Sequence, residues 1–162
     1  MSDHIGRHNW LIMEIVDSNL ERALRGYARG HLLDIGCGEQ PYRAMAEPFI
    51  TAYTGLDHPE SLHDTRDAQL LGSATEIPAD DGAFDTVLCT YVLEHVEDPK
   101  RALREAWRVL RPGGYAIYTV PQAWHLHESP RDFYRFTKHG LEYLFGAAGF
   151  EVVEIKALTG FI

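Results

Sequence analysis

The sequence predicts an α/β fold in which a doubly wound, mostly parallel sheet carries helices on both faces. Short apolar runs that suit buried strands alternate along the 162 residues with segments whose apolar residues recur at helical spacing. The first run, residues 31–35, breaks at once into Gly36-Cys37-Gly38, as a strand does when it ends in a tight loop. Strands and helices that alternate at this spacing are typical of parallel sheets, and this alternation predicts the fold.

The elements follow from local signals. The sequence predicts an amphipathic helix, or two, over residues 8–29, ending before Gly30. We treat residues 1–30 as an N-terminal helical cap and residues 31–162 as the main part of a single domain. Asp98 before Pro99, and Thr137, are expected to cap later helices. The remaining predictions are strands at 51–57, 68–72, 86–90, 115–120 and 150–158, a short helix within 41–49, helices at 99–110 and 138–148, and a turn at 80–85.

Composition excludes several classes of protein. Hydrophobic residues make up 45% and charged residues 24% of the chain, which is ordinary for a globular domain. The formal net charge of −9 argues against nucleic acid as the main partner. The sequence has no apolar run long enough to cross a bilayer and no apolar signal core at its start, so we expect a cytoplasmic protein without a membrane span. Cys37 and Cys89 are too few for a disulfide framework.

The loop at 36–38 indicates a cationic ligand. A dinucleotide fingerprint needs a third glycine three residues after Gly38, and Pro41 stands there. Asp34, two residues before Gly36, places a carboxylate beside the loop, where it would repel a pyrophosphate and attract an ammonium or sulfonium group. A strand that ends in a glycine turn with no ligand is the alternative.

Several motifs in order resemble those of the class I S-adenosylmethionine-dependent methyltransferases, a Rossmann-like family. They are Leu33 to Gly38, Phe84-Asp85, Val92 to Val96 and Leu110 to Gly114, and the resemblance covers roughly residues 30–158. It implies S-adenosylmethionine as cofactor, S-adenosylhomocysteine as product and a small-molecule acceptor. The fold normally adds an antiparallel last strand, which Thr159 to Ile162 are too short to supply, so we expect an open sheet edge where a second copy could associate, or a truncated chain.

The resemblance also implies a cofactor site. The loop residues Asp34, Gly36, Cys37 and Gly38 would hold the amino acid end of the cofactor, and the residues after Thr90 would line the reacting centre. Asp57, which lies 21 residues past Gly36, stands near the spacing at which an acid binds ribose hydroxyls. Ser73 and Ala74 would flank adenine, although many relatives have an acid where this chain has Ser73.

The segment 124–137 is dense in His, Glu, Arg and aromatic residues and is expected at the carboxyl edge of the sheet, where substrates bind. We predict His127 as the proton acceptor, with Glu128 orienting it; His95 is a second candidate, for which capping or packing is the alternative. No metal is predicted, because His125, His127 and Glu128 lack the spacing of a zinc helix.

The predicted function is therefore methyl transfer to a small molecule, with an oxygen acceptor preferred. Two alternatives stay open. A non-catalytic module that binds the cofactor or a partner would also carry these motifs, and an NAD-dependent oxidoreductase would share the ribose acid but requires the glycine that is missing.

Overall fold

The computed structural model describes residues 7–158, with side chains from residue 12 onward. The helices are α1 (Arg7–Tyr27), α2 (Arg43–Ala46), α3 (Pro99–Val109) and α4 (Lys138–Ala148), and single 3-10 turns cover Glu47–Phe49 and Leu93–His95. The strands are β1 (His31–Ile35), β2 (Ala52–Asp57), β3 (Leu70–Leu71), β4 (Phe84–Thr90) and β5 (Leu110–Thr119). Among the described residues, no helix combines the length and the apolar character that a bilayer span requires.

The five strands form one sheet in the order β3-β2-β1-β4-β5, and every pairing is parallel. The chain therefore winds outward from β1 in both directions, which confirms the doubly wound fold that the sequence predicted. Leu33 at the centre lies opposite Thr54 of β2 and Val87 of β4. The strand order reverses between β1 and β4, and in open α/β sheets ligands bind in the crevice outside the carboxyl ends at such a point.

Apolar side chains cover both faces of the sheet, as a parallel sheet requires. On one face, Leu20 and Leu24 of α1 pack with Leu32 and Leu88. On the other face, Ala106 and Val109 of α3 pack with the adjacent residues of the same strands, Leu33 and Val87. Helix α4 packs against α3 in a third cluster through Leu141, Leu144 and Phe145. This burial fixes the strand ends from which the candidate site is built.

The predicted helix boundaries of α3 and α4 are confirmed by their caps. The Asp98 side chain accepts a hydrogen bond from the amide of Arg101 at 3.0 Å, and the Thr137 hydroxyl accepts one from the amide of Gly140 at 3.1 Å. Gly149 ends α4 with φ +104°, a left-handed conformation that glycine adopts without strain.

The strands β3, β4 and β5 have bounds that differ from the predictions. The predicted strand at 68–72 is reduced to two residues, and Phe84 and Asp85 belong to β4 instead of the turn at 80–85. β5 begins at Leu110 instead of Tyr115, because Leu110 pairs with Phe84 before an irregularity that brings Tyr115 opposite Thr86.

The predicted strand at 150–158 is wrong. Alternating side chains favour a strand only when a neighbouring strand offers its main-chain groups, and this segment pairs with none among the described residues. It lies instead near α1, where Glu154 pairs with Arg22 at 3.1 Å and Lys156 donates to Asn19 at 2.5 Å.

Candidate functional site

The glycine loop after β1 is held against both neighbouring strands. The amides of Gly36 and Cys37 both donate to the carbonyl of Leu56 on β2, at 2.8 and 3.1 Å. Gly36 has φ +72°, and a Cβ atom there would lie 2.2 Å from a methyl carbon of Val92, just beyond β4. Because both the conformation and the space exclude a side chain, the loop needs glycine at this position.

Asp34 lies below this loop as a buried acid. Only 1% of it is exposed, and its Oδ2 accepts a 2.5 Å hydrogen bond from the Tyr53 hydroxyl. Burial raises the pKa of Asp34 to about 7; the Tyr53 hydrogen bond opposes this rise and the charge of Asp57 adds to it. Its Oδ1 has no hydrogen-bond partner within the described part of the chain. A cation bound nearby would stabilise the ionised carboxylate.

Asp57 ends β2 and fixes the loop through its two carboxylate oxygens. Oδ2 accepts from the amide of Gly38 and Oδ1 from the amide of His58, each at 2.7 Å. Cys37 is buried beside Gly55, and burial raises the pKa of its thiol to about 12, so the thiol stays protonated at neutral pH. Asp34, the glycine loop and Asp57 therefore form one compact unit at the ends of β1 and β2.

The other residues of the predicted cofactor site flank that unit. Ser73 follows β3, and its hydroxyl lies 2.8 Å from the hydroxyl of Thr75, within a local turn. Ala74 packs against the apolar clusters on the α3 side of the sheet. Thr90 is the last residue of β4, and the next amide, that of Tyr91, donates to the Thr119 carbonyl on β5.

A second group of polar side chains lies beyond β4 and β5. One potential ligand atom from each of Glu94, His95 and His127 lies within 4.8 Å of the other two. Glu94 is completely buried, and neither of its carboxylate oxygens has a hydrogen-bond partner among residues 12–158. Burial raises the pKa of Glu94 to about 7. A buried carboxyl without a partner is costly and calls for a ligand that satisfies it.

His95 is oriented by the main chain of the loop after β5. Its Nδ1 lies 2.6 Å from the carbonyl of Arg131, which only accepts hydrogen bonds, so Nδ1 carries the proton of the neutral ring. Nε2 then faces two carboxylates, Glu94 at 3.9 Å and Glu128 at 3.6 Å. The same loop is fixed to Glu94 by amides of Phe133 and Tyr134, which donate to its main-chain carbonyl.

The carboxylate that orients His127 is Asp132, where the sequence had predicted Glu128. Nδ1 of His127 lies 3.2 Å from Asp132 and 3.2 Å from the carbonyl of His125, and the ring stands 4.7 Å from that of His95. Asp132 is almost fully buried and accepts two hydrogen bonds from Arg135, at 2.6 and 2.8 Å. The guanidinium of Arg135 holds the pKa of Asp132 well below its usual range.

His63 joins the two groups of residues. A Cβ atom on Gly38 would lie 3.6 Å from the Cβ of His63, so the histidine stands against the glycine loop. Its Nε2 lies 3.2 Å from Glu128, whose other oxygen faces His95. His63 and Glu128 therefore connect the glycine loop to the histidine cluster through direct side-chain contacts.

Sequence reasoning missed four residues of this arrangement. Tyr53 and His63 reach the site although neither residue was expected to have a chemical role. Glu94 stands beside His95 in a motif that had been noticed, and an acid inside an apolar segment was the signal that could have found it. Asp132 stands three residues before Arg135, a spacing at which acid and base often pair.

Fold and site together define a doubly wound α/β domain with a glycine loop and a buried acid at the point where the strand order reverses. A model of the methyltransferase domain family matches residues 33–118, just over half of the chain. The chain belongs to this family of S-adenosylmethionine-dependent, class I methyltransferase domains, as its motifs indicated.

Known proteins support that assignment. An uncharacterised methyltransferase of a Mycobacterium species (strain KMS) is 38% identical over 97 residues, which cover 55% of this chain and 38% of that protein. A ubiquinone biosynthesis O-methyltransferase of Pseudomonas aeruginosa (strain UCBPP-PA14) is 34% identical over 139 residues, covering 76% of this chain and 55% of that protein. The chain thus spans about two fifths to just over half of these relatives' length.

Solved structures share the fold. A methyltransferase of Thermotoga maritima, described as a possible histamine N-methyltransferase, superposes with a TM-score of 0.67 at 26% identity, over 88% of this chain and 75% of that one. An S-adenosylmethionine-dependent methyltransferase from Archaeoglobus fulgidus gives a TM-score of 0.68 at 19% identity, over 85% and 69% of the two chains.

Proposed function

We propose that the protein transfers a methyl group from S-adenosylmethionine to a small-molecule acceptor, with oxygen as the preferred nucleophile. One observation carries the proposal. His63 stands against the cofactor-type glycine loop and contacts Glu128, which in turn faces His95, so the cofactor residues and the histidine cluster border the same space. A methyl donor held at the loop would face an acceptor held at the cluster.

The cofactor is assigned to the ends of β1, β2 and β3. Asp34 and the loop residues Gly36, Cys37 and Gly38 would hold the amino acid end, where the buried acid favours a positive charge. Asp57 would bind ribose. Each of its oxygens already accepts one hydrogen bond from a main-chain amide, so the ribose hydroxyls would donate to the remaining lone pairs. Ser73 and Ala74 would flank adenine, and Thr90 would line the reacting centre.

The chemistry requires little of the protein beyond position and removal of one proton. The acceptor hydroxyl loses its proton, its oxygen attacks the methyl carbon, and the carbon–sulfur bond breaks with its electron pair remaining on sulfur as S-adenosylhomocysteine. Holding the reactants in line supplies most of the acceleration. His127, oriented by Asp132, is assigned as the proton acceptor, with His95 and Glu128 beside it.

The relatives differ on the acceptor atom. The ubiquinone biosynthesis enzymes are O-methyltransferases, whereas the Thermotoga neighbour is described as a possible N-methyltransferase. We prefer oxygen because the cluster offers two imidazoles and two carboxylates next to the loop, a set suited to taking the proton that a hydroxyl must lose. The predicted cytoplasmic location and a homo-oligomer formed through the free edge of β5 stay predictions.

The test is transfer of a labelled methyl group to matched acceptors. The purified chain is incubated with S-adenosylmethionine and with pairs of small aromatic compounds that differ only in carrying a hydroxyl or an amine. We expect labelled methyl groups in the compounds that carry a hydroxyl. The variant His127→Asn should form much less labelled product than the control His139→Asn, which changes an exposed residue of α4. Label in the amines alone would overturn the oxygen preference. Cofactor binding without transfer to any acceptor would favour the non-catalytic module.

A further inference from the structure

The buried acid Glu94 indicates that the histidine cluster holds a positive charge. Glu94 is fully buried, and both of its oxygens lack hydrogen-bond partners among the described side chains and main chain. Its Oε1 points toward Nε2 of His95 at 3.9 Å. A carboxyl in this position either stays protonated or receives a cation, because a bare buried carboxylate is strongly unfavourable.

Both histidines keep one unprotonated ring nitrogen that could bind a ligand. The Nδ1 atoms of His95 and His127 lie next to acceptors, the carbonyl of Arg131 for the first and the Asp132 carboxylate for the second. In each neutral ring the proton is therefore on Nδ1, and Nε2 keeps its lone pair. A histidine whose outer nitrogen donates to a carbonyl or carboxylate is the arrangement found around bound metals, where the partner fixes the ring and raises its basicity.

We propose that Glu94, His95 and His127, with Glu128 alongside, bind one divalent transition-metal ion. Their ligand atoms already lie within 4.8 Å of one another, and Glu128 Oε2 lies 3.6 Å from His95 Nε2. Two imidazoles with one or two carboxylates form a donor set that suits zinc and its neighbours in the first transition row better than calcium or magnesium. Spacing along the chain does not indicate this site, because Glu94 and His95 come from the loop after β4 and His127 from the segment 124–137.

This inference deepens the proposed function and rests on it for its catalytic meaning. A metal ion bound there lowers the pKa of a hydroxyl that coordinates it. The acceptor would then lose its proton to solvent on binding, and His127 would serve as a ligand and not as the proton acceptor. The preferred acceptors become compounds with a hydroxyl able to reach the metal, above all those with two adjacent oxygens.

The test measures metal binding separately from the cofactor and the reaction. The chain is freed of metal with a chelator and titrated with ZnCl₂ and MnCl₂ by calorimetry. We expect one ion per chain with a Kd at or below the micromolar range. Glu94→Gln and His127→Asn should each weaken binding at least tenfold, whereas the control His139→Asn, on exposed α4, should match the wild type. His127→Asn lies in a loop, so it tests the site even where Glu94→Gln fails to fold.

Each outcome decides one of the two proposals. No stoichiometric metal binding, or equal binding by the wild type and both site variants, overturns the metal inference. Methyl transfer that a chelator leaves unchanged also overturns it, and His127 is then the proton acceptor. Metal binding by a chain that does not bind S-adenosylhomocysteine contradicts the proposed function and leaves the metal site standing. Loss of methyl transfer on chelation and its return with Zn²⁺ or Mn²⁺ supports both.

Discussion

The two halves of the candidate site are built in different ways. At the ends of β1 and β2, acids and glycines lie at strand termini, and main-chain amides occupy both oxygens of Asp57. Beyond β4 and β5, the side chains come from a 3-10 turn and a long loop, and Glu94 is buried without a hydrogen-bond partner in the described chain. In the first half a single carboxylate oxygen, Oδ1 of Asp34, lacks a partner in the described chain, whereas in the second half both oxygens of Glu94 do.

This difference has a functional meaning. A cofactor common to a family needs the same loop geometry each time, which short strand-end motifs supply. Acceptors vary between relatives, and long loops on a fixed scaffold can vary with them. We therefore expect changes in the first half to abolish cofactor binding and changes in the second half to alter turnover alone.

The largest effect is expected at Gly36. In Gly36→Ala the new methyl group would overlap Val92 in a conformation with φ +72°, so we expect S-adenosylhomocysteine affinity to fall at least 100-fold and stability by about 3 kcal/mol. Calorimetry and chemical denaturation measure the two quantities. The control is Gly146→Ala, in α4, where a Cβ meets nothing within 4 Å and stability should rise by about 0.5–1 kcal/mol. Normal binding by Gly36→Ala would contradict the packing argument.

The second effect concerns Asp132, a positioning residue that holds His127. Asp132→Asn weakens the hydrogen bonds that this side chain accepts from Arg135 and His127, so we expect kcat to fall by about 10-fold to 100-fold while S-adenosylhomocysteine affinity stays unchanged. Steady-state kinetics separates kcat from KM. Asp81→Asn, which removes an exposed partner of Arg108, is the matched control and should leave both constants unchanged. A loss of cofactor affinity in Asp132→Asn would contradict the claim that the second half of the site affects turnover alone.

The third effect is a pH dependence at Asp34. The pKa of Asp34, about 7, lies above the ordinary 3.8, so between these pH values the folded protein keeps a proton that the unfolded chain releases. The contribution of Asp34 to the free energy of unfolding therefore declines as pH rises from about 4 to 7. The titratable groups that face Asp34 in the described chain are Tyr53, Asp57, Cys37, Tyr42 and Cys89. A cationic cofactor favours the ionised form, so S-adenosylmethionine should bind roughly 10-fold more tightly at pH 8 than at pH 6. Asp34→Asn should remove this dependence; a dependence that persists would assign it to another group.

The smallest effect is expected at a helix cap that has no role in the proposed site. Asp98→Ala removes the side chain that caps α3, which should cost about 1 kcal/mol of stability and leave cofactor affinity unchanged. Asp80→Ala, on an exposed turn, should change stability by less than about 0.5 kcal/mol. Chemical denaturation of both variants measures the two losses of stability. Equal losses would contradict the claim that the Asp98 cap stabilises α3.

Local signals explain how much of the fold was predictable. Caps such as Thr137 and stops such as Gly149 act within one turn of chain, so the sequence alone locates α4 correctly. The segment 150–158 failed because its alternation is a local property, whereas a strand requires a neighbour that pairs with it. The doubly wound parallel sheet also agreed with expectation, since alternating strands and helices leave few parallel arrangements.

The candidate site divides in the same way. Asp34, Gly36 and Gly38 follow one another in a short motif, so their common location was predictable from spacing. The contact between Asp132 and His127, and the burial of Glu94, depend on how the loop after β5 folds over the end of β4. No spacing rule describes the burial of Glu94, because the loop residues bonded to its carbonyl, Phe133 and Tyr134, follow it by more than thirty residues in the chain.

Calorimetric titration of the purified chain with S-adenosylhomocysteine, with NADH as the control, tests the central claim most directly. The account predicts binding of S-adenosylhomocysteine with micromolar affinity and no binding of NADH, because Pro41 takes the place of the third glycine and Asp34 repels a pyrophosphate. Binding of NADH, or no binding of S-adenosylhomocysteine by a folded chain, would contradict it.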